Sequence, residues 1–284
     1  MAISYNRLGS NGRLGNQMFQ YAGLRGIAKQ HGYSWLIPPP DDYGDSNYGL
    51  FDCFEMSTVT LQNFGYLSTD QNIATGCFHF NEQFFRGCPD NVNLHDYFQT
   101  EKYFKNAEKI IREDYRFQKE ILDPCKEVVD QFDNPIFIHV RRGDYVNQPD
   151  NHPVCPISYY EKALKEFPDD VPVFVFSDDL DWCREQFTDD RFVLPTENIK
   201  YSHTADTNDG RVQSFVPYYD LCMMSLCSGA IIANSSFSWW GAWLQDDVGK
   251  VVAPDPKKWF GTAMTHLDTS DIVPDRWIIK EWSK

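Results

Sequence analysis

Five short apolar runs in the second half of the chain constrain its fold more than any other feature: Ile136–Val140, Val171–Phe176, Phe192–Leu194, Ala230–Ala233 and Val251–Ala253. Their hydrophobicity is continuous rather than alternating, and several are rich in β-branched residues. That pattern suits strands covered on both faces of a parallel sheet. Helical patterns separate them. Ser158 and Glu161 stand at capping-box spacing, with an apolar stripe of Tyr160, Ala163, Leu164 and Phe167. Pro217 opens a stretch carrying Leu221, Met224 and Leu226, and Ser235 or Ser236 is placed to cap a helix striped by Phe237, Trp240 and Leu244. The alternation predicts a doubly wound α/β domain from about Asn134 onward.

The first half is more polar. Asn16 to about His31 reads as a helix, entered through the glycine-rich stretch Gly9-Ser10-Asn11-Gly12-Arg13-Leu14-Gly15. A second helix is expected over Glu101–Asp114, with Tyr103, Phe104, Ala107, Ile110 and Ile111 on one side. A second α/β domain is therefore expected. At 284 residues the chain accommodates two modest domains. Asp133-Asn134-Pro135 is the expected boundary, giving domains 1–133 and 134–284, with a tail of about 20 residues able to cross back.

The net charge is −15 and the isoelectric point about 4.8. A chain this acidic repels nucleic acid and anionic lipid, so any site for an anionic small molecule must concentrate its positive charge in a few places. The eight cysteines include no C-x-x-C pair. No basic-then-apolar leader is present, and no run approaches the roughly 18 apolar residues of a membrane span. These features predict a cytoplasmic protein with reduced thiols. Asn234-Ser235-Ser236 matches a glycosylation sequon, which matters only in a secreted chain.

The residues with chemical potential sit just past the apolar runs. After Ile136–Val140, which contains His139, come Arg141-Arg142-Gly143-Asp144; after Val171–Phe176 come Ser177-Asp178-Asp179; after Ala230–Ala233 come Asn234-Ser235-Ser236-Phe237-Ser238. Open α/β sheets bind ligands at the carboxyl ends of their strands. Guanidinium forks match phosphate oxygens, so Arg141 and Arg142 point to a diphosphate, or else to neutralised surface carboxylates. Ser235 to Ser238 open a helix whose backbone N–H groups favour an anion, although capping alone accounts for the serines equally well. Gly12-Arg13-Leu14-Gly15-Asn16 repeats that logic more weakly. Asp179-Leu180-Asp181 reads as D-x-D, a pattern that holds a divalent metal on a donor diphosphate elsewhere, but Asp179 also sits where a helix begins. No H-x-H, H-E-x-x-H or G-x-S-x-G occurs, so neither a zinc site nor a serine hydrolase is expected. Trp239, Trp240 and Trp243 are expected mainly as core.

Taken in order, GRLGNQMFQYA (12–22), YFQTEKYF (97–104), IHVRRGDY (138–145), FVFSDD (174–179), DLCMMSLCS (220–228) and IIANSSFSWWGAWL (231–244) resemble glycosyltransferase family 11, the α-1,2-fucosyltransferases. The first motif departs from the family pattern by an added Gly9-Ser10-Asn11, and residues 40 to 90 match poorly. The resemblance implies a GT-B architecture of two Rossmann-like domains facing across a cleft, the first mainly acceptor-side and the second binding GDP-fucose. It implies transfer of L-fucose with inversion, from GDP-fucose to a hydroxyl of a galactose-containing oligosaccharide, with no metal or other cofactor.

By similarity, Arg141 takes the β-phosphate and neutralises the departing GDP, supported by His139 and Arg142. Asp178 or Asp179 contacts the nucleoside, and Ser235, Ser236, Phe237 and Ser238 bind the donor. Arg13, Gly15 and Asn16 join from the opposite domain, with Asn16 counted among the catalytic groups. Asp144, the only carboxylate of its motif, is either the base for the acceptor hydroxyl or the group that orients the arginines. A fucosyltransferase of another linkage and a non-catalytic sugar-nucleotide or glycan-binding protein are the rival readings.

Overall fold

A computed structural model of the chain describes residues 1–40, 48–194, 205–206, 212–213, 216–246 and 249–282. They form two compact units, one of Met1–Gln118 with His266–Asp275 and one of Lys119–Thr265 with Arg276–Lys284. The division falls earlier than the expected Asp133–Pro135 boundary. Helix Lys119–Val129 packs on helix Val216–Leu226, burying Ile121, Cys125 and Val128, so its apolar face assigns it to the second unit. The tail divides too: His266–Asp275 belongs to the first unit, and the chain then returns to the second.

The first unit carries strands β1 (Ala2–Ser4), β2 (Ser34–Leu36), β3 (Asn72–Ile73) and β4 (Val92–Leu94) in the order β2-β1-β4-β3, all parallel. Helices α1 (Leu14–His31), α2 (Leu50–Cys53), α3 (Glu82–Gly87) and α4 (Glu108–Asp114) accompany them. The expected helix over Glu101–Asp114 is shorter, because Glu101–Tyr103 and Lys105–Ala107 are 3-10 turns leading into α4. Close packing against α1 explains this. Asn106 Nδ2 donates to the Gly26 carbonyl at 3.0 Å, and a Cβ on Gly26 would lie 1.9 Å from the Tyr103 carbonyl oxygen. The segment is pinned by its backbone, so it cannot wind as one amphipathic helix.

The second unit holds α5 (Lys119–Val129), β5 (Ile136–Val140), α6 (Ile157–Leu164), β6 (Val173–Ser177), α7 (Leu180–Gln186), β7 (Phe192–Val193), the antiparallel pair β8 (Ala205–Asp206) and β9 (Val212–Gln213), α8 (Val216–Leu226), β10 (Gly229–Ile231), α9 (Ser236–Trp243), β11 (Val251–Pro254) and β12 (Ile278–Lys280). Its main sheet runs β12-β11-β10-β5-β6-β7, with every pairing parallel. All five expected strands are present within a few residues of their expected limits.

Ser158 does not cap α6. The helix begins at Ile157 behind Pro156, without a side-chain cap, because proline supplies the extended entry and places Ser158 inside the first turn. Tyr159 Oη donates to the Ile232 carbonyl at 2.7 Å and Tyr160 Oη to the His139 carbonyl at 3.2 Å, so α6 ties β5 to the segment after β10. Trp239, Trp240 and Trp243 are core, none more than 2% exposed.

All eight cysteines are free. Asn234 of the sequon is 1% exposed and donates Nδ2 to the carbonyls of Pro153 at 2.9 Å and Trp259 at 3.0 Å. Its amide is a structural bridge with no access for a glycan. Among the described residues, no helix is long and apolar enough to cross a membrane.

Candidate functional site

In the second sheet the chain runs from β5 outward through β6 to β7, then returns to place β10 on the other side of β5. The order therefore reverses between β5 and β10, the position where open α/β sheets bind ligands. The three polar clusters read from the sequence leave the carboxyl ends of β10, β5 and β6, which are neighbours.

Arg141 sits at the centre, its side chain 16% exposed, with Nη1 donating to Asp178 Oδ2 and Nη2 to Asp144 Oδ1. Two of its five N–H donors are thus used, and the two carboxylates set the plane of the guanidinium. Below it lies the ring of Tyr145, 4.9 Å from Cζ to centroid. Arg142 donates Nε to Asp179 Oδ2 at 2.8 Å and its backbone N–H to Asp178 Oδ1 at 2.8 Å. It also stacks on Trp182 at 4.4 Å. A Cβ on Gly143 would stand 2.3 Å from Asp178 Oδ2, so a side chain there would displace the carboxylate that Arg141 engages.

Two guanidiniums therefore meet three carboxylates. The arginines do neutralise carboxylates, as the plainer reading of the sequence allowed, and those carboxylates hold them in one orientation. Asp179 does two jobs, capping α7 by accepting from the Trp182 N–H at 3.2 Å while pairing with Arg142. That pairing holds its carboxyl below the usual carboxylate range. Asp181, the other half of D-x-D, is exposed and pairs with Arg184.

Ser235 caps α9, its Oγ accepting from the Phe237 N–H at 3.3 Å, and Ser238 is buried with its hydroxyl on the Ser235 carbonyl. Ser236 opens the helix. Tyr145 Oη donates to the Asn234 carbonyl at 3.4 Å, and the His139 and Phe237 rings lie 5.8 Å apart, so the β5 and β10 loops are joined.

His139 is 6% exposed, and its Nδ1 has no hydrogen-bond partner among the described residues. Burial, reinforced by the neighbouring Arg141, pushes its pKa down to about 3. It is neutral near pH 7 and brings no charge to the site.

Burying a neutral imidazole makes stability depend on pH. An unfolded histidine titrates near 6.5, so between about 6.5 and 3 only the unfolded chain takes up this proton. The stability from burying neutral imidazole is complete above that window and is lost as pH falls through it. Unfolding free energies measured against pH should fall more steeply for the native chain than for His139→Gln, and equal slopes would contradict a buried neutral ring.

Arg13, Gly15 and Asn16 belong to the first unit. Arg13 is the exposed residue before α1 and has extended backbone, Gly15 is buried in the first turn, and Asn16 Oδ1 accepts from Gln99 Nε2 at 2.8 Å.

Asp220 in α8 escaped the sequence reading. Its residue is partly exposed, yet Oδ1 is enclosed without a hydrogen-bond partner among the described residues, and burial pushes the carboxyl well above the usual range. Because α8 leads down into the amino end of β10, its first turns lie at the carboxyl edge of the sheet, level with the start of α9. Tyr145 and Trp182, the rings beneath the two arginines, were missed as well, although each stands within three residues of a predicted site carboxylate.

The family model described as glycosyl transferase family 11 matches residues 69–278. The alpha-1,2-colitosyltransferase of Escherichia coli is 30% identical over 98% of this chain and 99% of its own. The galactoside 2-alpha-L-fucosyltransferase SEC1 of Bos taurus is 25% identical over 84% of this chain and 63% of its own. Among solved structures, the fucosyltransferase NodZ from Bradyrhizobium superposes with a TM-score of 0.53 at 16% identity, covering 89% of this chain and 94% of NodZ. NodZ alpha-1,6-fucosyltransferase soaked with GDP-fucose scores 0.53 as well. At that identity the likeness is one of fold, the GT-B class with its two Rossmann-like α/β units.

Proposed function

This chain belongs to glycosyl transferase family 11, and on that premise we propose that it is an inverting fucosyltransferase, moving L-fucose from GDP-fucose to O2 of a terminal galactose on an acceptor glycan. The observation that carries the reading is Arg141, held in the plane of its two carboxylates where the strand order reverses between β5 and β10. Fucose departs with oxocarbenium character while negative charge grows on the β-phosphate. A pre-oriented guanidinium meets that charge most strongly in the transition state, and so raises the rate rather than only tightening binding.

Three N–H groups of Arg141 are not used by Asp144 and Asp178, and they are assigned to the phosphate. Arg142 supports it, neutral His139 supplies a hydrogen bond, and Ser235, Ser236, Phe237 and Ser238 present the start of α9 to the donor. Asp144 is assigned the orienting role, because it is engaged by Arg141. Asp220, whose enclosed Oδ1 has no hydrogen-bond partner among the described residues, is assigned to the nucleoside, whose N–H and hydroxyl groups would satisfy it. The eight free thiols favour a reducing compartment.

The test is direct. Purified protein with GDP-fucose and a panel of galactose-terminated oligosaccharides should release GDP and yield a 1,2-linked product by linkage analysis. The rate should be unchanged by EDTA; a strict Mn²⁺ requirement would return Asp179 and Asp181 to a metal-binding role. Colitose in place of fucose on the nucleotide is the second donor to assay, since the colitosyltransferase resembles this chain over nearly its whole length. A clear preference for it would change the sugar and leave the site assignment standing.

A further inference from the structure

We propose that the carboxyl edge of the first unit's sheet, where β1 and β4 lie side by side, is a subsite for one neutral pyranose ring of the acceptor glycan, with Tyr97 as its platform; this rests on the glycosyl-transfer reading above. In the order β2-β1-β4-β3 the chain leaves β1 toward one edge and later arrives at β4 from the other. This reversal point is the first unit's own counterpart of the position between β5 and β10. The loops leaving β1 and β4 are locked together there. Tyr5 Oη donates to the Asp96 carbonyl at 2.8 Å, and the Asn6 N–H donates to Asn93 Oδ1 at 2.7 Å.

On that rigid base stand exposed groups. Arg7 Nη1 lies 3.3 Å from His95 Nε2, and Tyr97 Oη donates to Asn11 Oδ1 at 3.4 Å. Tyr97 is 38% exposed, whereas the next residue, Phe98, is 2% exposed and anchors the loop against Tyr5 and Tyr103. Asp96, the carboxylate between His95 and Tyr97, is engaged by Thr75 and by the Tyr97 N–H.

The patch offers an aromatic face ringed by amide, guanidinium and imidazole groups, with its carboxylate already satisfied. A neutral sugar uses such a surface well: its C–H face covers the ring while its hydroxyls exchange hydrogen bonds at the rim. A diphosphate requires denser positive charge.

The experiment pairs kinetics with binding. Tyr97→Ala should raise the acceptor KM about tenfold while the affinity for GDP, measured by calorimetry, stays within twofold. Tyr97→Phe, which keeps the ring, should stay near the native KM. In parallel, ligand-observed NMR of a galactose-terminated oligosaccharide without donor should show contact with the native protein that Tyr97→Ala loses. An unchanged KM, or an NMR signal equal in Tyr97→Ala and native protein or absent from both, overturns the subsite. Tyr97-dependent binding by a native protein that transfers no sugar upholds the subsite and overturns the transferase reading instead.

Discussion

Replacing Arg141 by alanine is expected to lower kcat by about 10²–10³, with the fold retained, because one preorganised donor to a developing anion is typically worth about 2.7–4 kcal/mol of activation energy. The loss should fall on kcat and kcat/KM together, the signature of an interaction realised in the transition state. The side chain is partly exposed and rests on Tyr145, so its removal opens no cavity in the core, and circular dichroism and the unfolding midpoint should change little. Two carboxylates, Asp144 and Asp178, lose their shared partner but face solvent at 47% and 29% exposure. Arg141→Lys should fail nearly as badly, since an ammonium cannot bridge Asp144 and Asp178 while presenting further N–H groups in the same plane. An Arg141→Ala enzyme with near-native kcat refutes the assigned role.

A loss of about 3–5 kcal/mol of stability is expected from Asp114→Ala, among the largest effects for any single change in the first unit. Asp114 is fully buried. Its Oδ2 accepts from Arg25 Nη1 at 2.7 Å, Tyr21 Oη at 2.7 Å and Thr58 Oγ1 at 2.9 Å, and its Oδ1 from the Thr58 N–H at 2.8 Å. Arg25 is itself 8% exposed and lies 4.3 Å over the ring of Trp35. Removing the carboxylate strands a guanidinium in the core together with two hydroxyls and a backbone N–H, and uncompensated buried charge is what makes such changes severe. Urea unfolding monitored on the first unit should show the midpoint shift, and a change under about 1 kcal/mol would show that water or another group replaces the carboxylate readily. The pair fastens α1 to the end of α4.

The second unit was far more legible than the first. Its strands are buried on both faces and therefore announce themselves as unbroken apolar runs, and every polar cluster directly after one of them stands at the same edge of the sheet. Glu101–Asp114 was misread because its apolar spacing is helical, while the packing of its backbone against Gly26 is a long-range fact that no local window contains. Ser158 failed for a nearer reason, since Pro156 outranks it as the entry to α6. Lys119–Val129 was assigned to the wrong domain because the partner that covers it, α8, lies about 90 residues further along.

Five of the second unit's strands, the α/β class and the polar clusters that follow three of those strands were written in the residues, because hydrophobic period, caps and breakers act over a few positions. How those groups are engaged was settled by three-dimensional packing. Arg141 shares its fork between Asp144 and Asp178, His139 is stripped of charge by burial, and Asp220 keeps an enclosed oxygen without a partner among the described residues. Each of these depends on contacts between residues far apart in sequence and on the low polarity of the interior, and neither can be read from the neighbours along the chain.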